Sequence, residues 1–427
     1  HLRNSMASRE AIMPNKKRRR KRSVNVRNLL IVIIGAAVLL GIAVFAISCI
    51  FAPKEPEKPA VETIDPAEAE AAEQQEESAP QESPESTSNE TRVSLFLSGD
   101  GLLHESVYED AANADGSFDF AKQMDRITAV AEKYDLQFYN QETILGGTEL
   151  GLTGYPVFNS PQEFGSYMVS KGFNLVSTAN NHCLDMGFTG VTNSRNFWNA
   201  QSGVLMQGTN TSQEEYDEIA VTEVNGMKIA FLAYCENTNG IAPDYNWEVN
   251  YFPGYEEEML AKVAKADAEC DAVIVSMHWG TEYSFDVNET QKSLAKRLVD
   301  AGADVIVGNH VHVIEPFEWI DGTPVFYAMG NLISSQIDVE NRIGMMAGMD
   351  LVKTVNADGT SEVKVENLRA DLHYTYLEGE YPELRTNIRV YPFAEMDDSI
   401  LEGYQSTYEE FKQIITSMDQ NIQIGGV

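Results

Sequence analysis

The sequence predicts an α/β fold of stacked layers, preceded by one membrane-spanning helix. Three observations carry that reading. Apolar runs of strand length alternate with segments of helical spacing, the pattern of layered α/β domains. Ligand-type side chains stand directly after five separate apolar runs. A basic head and an acidic body meet at a long uncharged stretch.

The chain has 427 residues and a formal net charge of -34, spread unevenly. Residues 1–52 hold ten Lys/Arg and one acid, Glu10, whereas the remainder holds 21 bases against 64 acids. Between Leu29 and Ala52 no charged residue occurs. At 1.5 Å per residue that run reaches roughly 36 Å, enough to cross a hydrocarbon core of about 30 Å. Lys16-Lys17-Arg18-Arg19-Arg20-Lys21-Arg22 precedes it, so the positive flank stays inside and the acidic body is expected outside the cytoplasm. Residues 1–28 therefore read as a basic cytoplasmic tail and 29–52 as a transmembrane helix in a single-pass cell-membrane protein. The alternatives are a cleaved secretory signal, against which the length argues, and lipid attachment at Cys49, which lacks the expected bulky residue three places earlier. The basic run orients the helix; nucleic acid is not expected as a partner.

Residues 53–91 are rich in Pro, Glu, Ala, Gln and Ser, with twelve acids against Lys54 and Lys58. Such a segment cannot bury enough apolar surface to offset chain entropy, so a disordered acidic linker is expected. The folded domain is expected over 92–395, with 396–427 as an unassigned C-terminal tail. Cys183, Cys235 and Cys270 fall in the body at no metal-ligand spacing.

Val93–Leu97 predicts a buried strand ending at Ser98-Gly99-Asp100. A helix follows over Phe118–Tyr134, then a strand over Leu136–Tyr139 ending at Asn140-Gln141-Glu142. Pro161–Lys171 predicts a helix, Phe173–Thr178 a strand ending at Asn180-Asn181-His182, and Gly187–Ala200 a helix. Asn225-Gly226 is a favoured type I′ pair, so Ile219–Val224 and Met227–Tyr234 predict a hairpin. Glu256–Glu269 predicts a helix and Ala272–Met277 a strand ending at His278. Asn288–Ala301 predicts a helix, Asp304–Val307 a strand ending at Gly308-Asn309-His310, and Pro324–Ala328 a strand. A β-rich stretch runs to about Leu368.

The polar residues at those strand ends are Asp100, Glu142, Asn181 with His182, His278, and His310 with His312. The carboxyl ends of strands are where sites assemble in α/β sheets. Imidazole, carboxylate and amide oxygen suit divalent transition metals such as Mn, Fe, Zn or Co. On an extended strand, His310 and His312 would share a face; on a loop they could reach two neighbouring ions. Two ions roughly 3.5–4 Å apart clamp an in-line displacement and acidify a bound water.

The motifs Gly99-Asp100, Asn140-Gln141-Glu142, Ala179-Asn180-Asn181-His182 with Asp185 and Gly187, His278-Trp279-Gly280-Thr281-Glu282-Tyr283, Gly308-Asn309-His310-Val311-His312 and Tyr327 with Gly330-Asn331 resemble, in that order, the CapA family. This is the capsule-biosynthesis, poly-gamma-glutamate family of the calcineurin-like metallophosphoesterase superfamily, and the resemblance covers about residues 92–335. It implies a four-layer α/β-β/α sandwich of two facing sheets, holding one or two divalent ions. Asp100 and His312 would then bind a first metal, Glu142 would bridge, and Asn181, His278 and His310 would bind a second. His182 would be the proton donor to a leaving oxygen, oriented by Asp185. Glu282 would either face the site or stand as a solvated loop acid. The superfamily's first motif usually reads Asp-x-His, but Gly101 and Leu102 follow Asp100 here. The first site is thus short of a ligand unless His104 turns back to fill it.

The family implies a role in capsule-polymer synthesis or export beside other membrane subunits, with an anionic polymer or a phosphoester as substrate. The chain is then a metal-dependent hydrolase, a non-catalytic polymer-binding subunit, or an extracellular phosphoesterase on another envelope substrate. Residues 92–427 carry 19 bases and 52 acids, a field that opposes simple polyanion binding unless bound metals reverse it locally.

Overall fold

Strand β1 (Asn89–Gly101) shows how the layers arise. Side chains alternate between the two faces of a strand. Leu95 and Leu97 enter one apolar core, and Phe96 between them enters another. Strand β6 (Met227–Cys235) repeats the device, sending Ile229, Phe231 and Ala233 into the first core and Ala230, Leu232 and Tyr234 into a third. The first core is therefore sandwiched between two sheets, and the other two cores lie on their outer faces.

The computed structural model describes residues 89–427, apart from 382 and 383. The expected cytoplasmic tail (1–28), transmembrane helix (29–52) and most of the linker (53–91) lie outside the described residues. Among the described residues no helix is long and apolar enough to cross a membrane. Residues 89–91 belong to β1, paired with β12 (Ile343–Val355), so the folded strand reaches at least three residues before the expected boundary.

In the first sheet β1 sits between β12 and β2 (Leu136–Asn140), followed by β3 (Leu175–Ser177) and β4 (Leu205–Gln207). Beyond β12 lie β13 (Ser361–Glu378) and β14 (Thr386–Pro392). The short β11 (Asn331–Ile333) and β15 (Gln423–Ile424) join β1 and β13. The second sheet starts with β5 (Ala220–Val224) and β6, then β7 (Ala272–His278) and β8 (Val305–Asn309). It closes with β10 (Thr323–Phe326) and β9 (Phe317–Ile320). The β5–β6 turn has φ of 53° at Asn225 and 79° at Gly226, both positive as a type I′ turn requires.

Helices cover the outer faces. Met124 and Ile127 of α2 (Ala121–Ala131), Phe164 and Met168 of α3 (Gln162–Ser170), and Trp198 of α4 (Gly187–Asn199) pack behind the first sheet. Met259 and Val263 of α6 (Glu256–Glu269) and Leu294 and Leu298 of α7 (Glu289–Asp300) pack behind the second. Asn288 starts α7 with a reciprocal capping box to Gln291, satisfying two otherwise orphaned amides. Short helices α1 (Glu105–Ala111) and α5 (Gln213–Asp217) are not expected from the sequence. The helix expected over Phe118–Tyr134 is confined to Ala121–Ala131.

The segment 396–427 is no loose appendage. Met396, Ile422 and, from α8 (Tyr404–Ile415), Phe411 and Ile415 are buried in the core between the sheets. The expected boundary at residue 395 therefore cuts through one packed core. The β-rich stretch also extends past Leu368, to Pro392.

Candidate metal centre

Asp100 lies where β1 changes partners. Up to Leu97 the strand pairs with β12 on one side and β2 on the other; at Asp100 it keeps β2, through Asn140, and β11, through Asn331, takes the place of β12. The backbones approach closely there: a Cβ added at Gly99 would stand 1.8 Å from the Gly330 carbonyl oxygen. Gly308 meets the same constraint at the Tyr327 carbonyl, also 1.8 Å from an added Cβ. The motif glycines are thus demanded by two backbone contacts that tie the ends of β1 and β8 to the segment between β10 and β11.

The side chains converge. Asp100, Glu142 and His312 offer ligand atoms all within 4.8 Å of one another, and so do Glu142, His278 and His310. Glu142 belongs to both groups. Its Oε1 lies 3.6 Å from His312 Nε2 and 3.8 Å from His278 Nε2. Asn181 Oδ1 lies 3.0 Å from His278 Nε2, which stands 3.1 Å from His310 Nδ1. His310 and His312 follow β8 on a loop, with φ of 102° and 60°. Positive φ at two non-glycine residues so close together is costly, and such strain concentrates at functional sites.

Burial shapes the chemistry. Desolvation pushes the Asp100 carboxyl up to about 7, against hydrogen bonds from Asn140 and the His310 amide. It holds Glu142 well above the usual carboxylate range, and the charges of Asp100, Glu282 and Asp185 add to it. Desolvation also lowers His310 to about 4, and His312 to about 3 with His310 contributing. His278 falls well below its ordinary value, first through burial and then through its histidine neighbours. The imidazoles are therefore neutral, with lone pairs available, among acids that a nearby cation would ionise. Both carboxylate oxygens of Glu142 are buried without a hydrogen-bond partner. A bound cation would satisfy them, so the donor set fits a divalent metal.

Three flanking residues are placed differently. His182 sits beside the cluster, its Nδ1 2.8 Å from Asp185 Oδ2, an oxygen that also accepts the Phe158 amide at 2.6 Å. His104 stands apart from both ligand groups and does not complete the Asp100 side. Its Nδ1 accepts the Ser335 amide at 3.4 Å, its ring packs edge-on against Phe158 at 5.5 Å, and burial lowers it to about 4. Glu282 is exposed on the wall of the adjoining cleft.

Asn140 and Asn331 fall within the sequence motifs, yet the sequence reading assigns neither a role. Asn140 Nδ2 donates to Asp100 Oδ1 at 2.7 Å and lies 3.3 Å from His278 Nδ1. Asn331 Oδ1 stands 3.0 Å from His312 Nδ1, while its amide group donates to the Asn341 carbonyl at 2.8 Å. Each therefore orients a ligand from behind. Their positions at the end of β2 and the start of β11 are the available signal. Asn239, on a loop between β6 and α6, lies 3.4 Å from both ring nitrogens of His182 and has no sequence signal at all.

The family described as bacterial capsule synthesis protein PGA_cap matches residues 94–336. The chain is 33% identical to the PGA biosynthesis protein CapA of Bacillus subtilis, over 45% of this chain and 50% of that protein. It is 31% identical to the capsule biosynthesis protein CapA of Bacillus anthracis, over 39% and 41% respectively. The chain thus spans about half the length of the curated relatives it matches. Among solved structures, a 5'-nucleotidase precursor from Thermus thermophilus is similar at 12% identity and a TM-score of 0.40, covering 75% of this chain and 59% of that one. With the family match spanning the strand ends that bring Asp100, Glu142, His278, His310 and His312 together, the chain belongs to the bacterial capsule synthesis protein PGA_cap family.

Proposed function

We propose that this chain is a membrane-anchored, extracytoplasmic CapA-like protein of capsule or poly-gamma-glutamate biosynthesis, with a metal-dependent hydrolase-type site. The observation that carries the hydrolase part is Glu142. A buried carboxylate with two unpartnered oxygens, shared by two groups of ligand atoms, favours a two-cation site over a structural one. Asp100 and His312 would hold one ion, Asn181, His278 and His310 the other, and Glu142 would lie between them. When bound, the ions supply Lewis-acid activation and charge neutralisation.

The protein's own groups supply the rest. Asn140 and Asn331 hold Asp100, His278 and His312 in place. Asp185 holds the Nδ1 edge of the His182 imidazole, so its Nε2, beside Asn239, is the nitrogen that would hold and release a proton at a leaving oxygen. Phe158 shields that ring from water, packing edge-on at 4.7 Å. The relatives' names support a role in polymer biosynthesis; the anchoring reading rests on the uncharged run at 29–52 and its basic flank.

A second reading, a binding subunit without turnover, is favoured by the Asp100 side, where His104 adds no ligand. Metal analysis and a hydrolysis screen on the purified full chain test the two. Copurifying transition metal, lost in His278→Ala/His310→Ala, with metal-dependent cleavage of a phosphoester or gamma-glutamyl substrate, supports the hydrolase. Metal without any cleavage favours the binding subunit, and undiminished metal in the double variant rejects the ligand set.

A further inference from the structure

A cleft of about 1050 Å³ adjoins the histidine cluster. His182 and His312 form part of its wall, and exposed aromatic side chains crowd its rim. Tyr155 is 78% exposed, Tyr381 71% and Tyr283 55%. Most charges on the lining are acidic, as the composition demands. Arg385 is the exception.

Arg385 is 8% exposed, yet among the described residues no carboxylate forms an ion pair with it. Its backbone amide donates to Ser106 Oγ at 3.0 Å, and its Nη1 donates to the Ser335 carbonyl. The guanidinium has further N–H donors without a protein acceptor among the described residues. Its charged neighbour is another cation, Arg342, whose guanidinium lies over the Tyr374 ring at 5.1 Å and whose Nε is buried without a partner. Asp338 and Glu340 line the same cleft, but neither pairs with either arginine. A guanidinium that opens its remaining donors onto a cleft, beside a like charge, is a favourable place for an anion. In a domain with 52 acids and 19 bases, a cleft arginine without an ion-pair partner among the described residues runs against the composition.

The place is also set off from the metal-type cluster. Ser335, bonded to Arg385, donates its amide to His104; His104 packs on Phe158, and Phe158 packs on His182. Two hydrogen bonds and two ring contacts therefore separate the arginine from the proposed proton donor. Arg385, Arg342 and Tyr381 all lie beyond residue 336, outside the family match.

We propose that Arg385, its positive field reinforced by the neighbouring Arg342, forms an oxyanion subsite in this cleft that takes a carboxylate or phosphate group of the ligand, remote from the group held at the histidine cluster. Guanidinium recognises both anions through paired N–H donors. The substrate class that follows carries two anionic groups: one directed to the cluster and one, along the aromatic wall, to Arg385. This deepens the proposed function and rests on it only for the first of those groups.

The test separates the two. The full chain carrying His278→Ala and His310→Ala, in metal-free buffer, is titrated with inorganic phosphate and, separately, with glutarate. Saturable binding of one anion per chain is expected despite the disabled cluster, weakened at least tenfold by added Arg385→Gln and partly retained by Arg385→Lys. Preference for phosphate assigns a phosphate-bearing ligand, and preference for glutarate a carboxylate-bearing one; either supports the subsite. Binding of neither anion, or equal binding with and without Arg385→Gln, overturns it. A lowered melting temperature with unchanged binding also overturns it, since it marks a structural role only. If Arg385→Gln does not fold, Arg342→Gln decides, because it leaves the Ser106 and Ser335 contacts intact: a loss of threefold or more supports the subsite and an unchanged affinity rejects it.

Discussion

His182 Nδ1 and Asp185 Oδ2 stand 2.8 Å apart, three residues apart in sequence, beside the cluster of neutral imidazoles. The pairing occupies Nδ1, the far ring nitrogen faces the Asn239 amide at 3.4 Å, and this histidine belongs to neither ligand group. His182→Ala is therefore expected to leave metal occupancy and melting temperature nearly intact while slowing turnover about 10²–10⁴-fold, the range for a positioned acid or base. Asp185→Asn should slow turnover less and shift its pH profile. Loss of metal in His182→Ala would make this residue a ligand and remove the proposed role.

Glu142→Gln replaces the shared carboxylate by a neutral amide of the same shape. Metal content should drop by at least one ion per chain, and the metal-free protein should become more stable, since a buried unpartnered acid is gone. Calorimetry on the chelated protein, beside elemental analysis of the loaded one, checks both. Retention of full metal would show that the bridging position is wrongly assigned.

Glu315 offers a pH test away from the cluster. It is fully buried, accepts Gln291 Nε2 at 2.6 Å, and has no partner for its other oxygen. Burial pushes its carboxyl up to about 8 from an ordinary 4.5. Between those values the folded chain holds a proton that the unfolded chain has released. Stability from this group is therefore lost as pH rises from 4.5 through 8. Relative to the parent, Glu315→Gln should gain on the order of a few kcal/mol at about pH 9 compared with about pH 5. Denaturant unfolding at both values reads the difference, and a gap that does not widen with pH contradicts the assignment.

Gly308→Ala should be destabilising at the upper end of the roughly 1–3 kcal/mol typical of overpacking, because the added carbon meets backbone that cannot rotate away. Gly322→Ala is the control: nothing lies near its Cβ, although its φ of 96° adds backbone strain. Thermal unfolding should rank Gly308→Ala as the more damaging.

The charge step around 29–52 predicts that protease added to intact cells cleaves within 53–88 and releases the acidic domain. Protection of the domain with cleavage of the basic tail would reverse the orientation.

The strands and most helices were legible because their signals are local. Apolar alternation, the Asn225-Gly226 pair and the cap at Asn288 each act within a few residues, so the hairpin and the helix Glu256–Glu269 emerge where expected. The convergence of Asp100, Glu142, His278, His310 and His312 was legible too, since the strand ends of the two facing sheets meet at one edge of the sandwich. The tertiary structure alone decided what depends on distant contacts. It buried Phe411 and Ile415 between the sheets, making the expected tail part of the core. It turned His104 toward Ser335 and Phe158 and away from the ligand groups, and it brought Asn239 over His182. It left Arg385 in the cleft without an acidic partner among the described residues. Sequence records which groups are present, but burial and the choice of partner are set by packing between segments hundreds of residues apart. Those two quantities fix the energy of a charge.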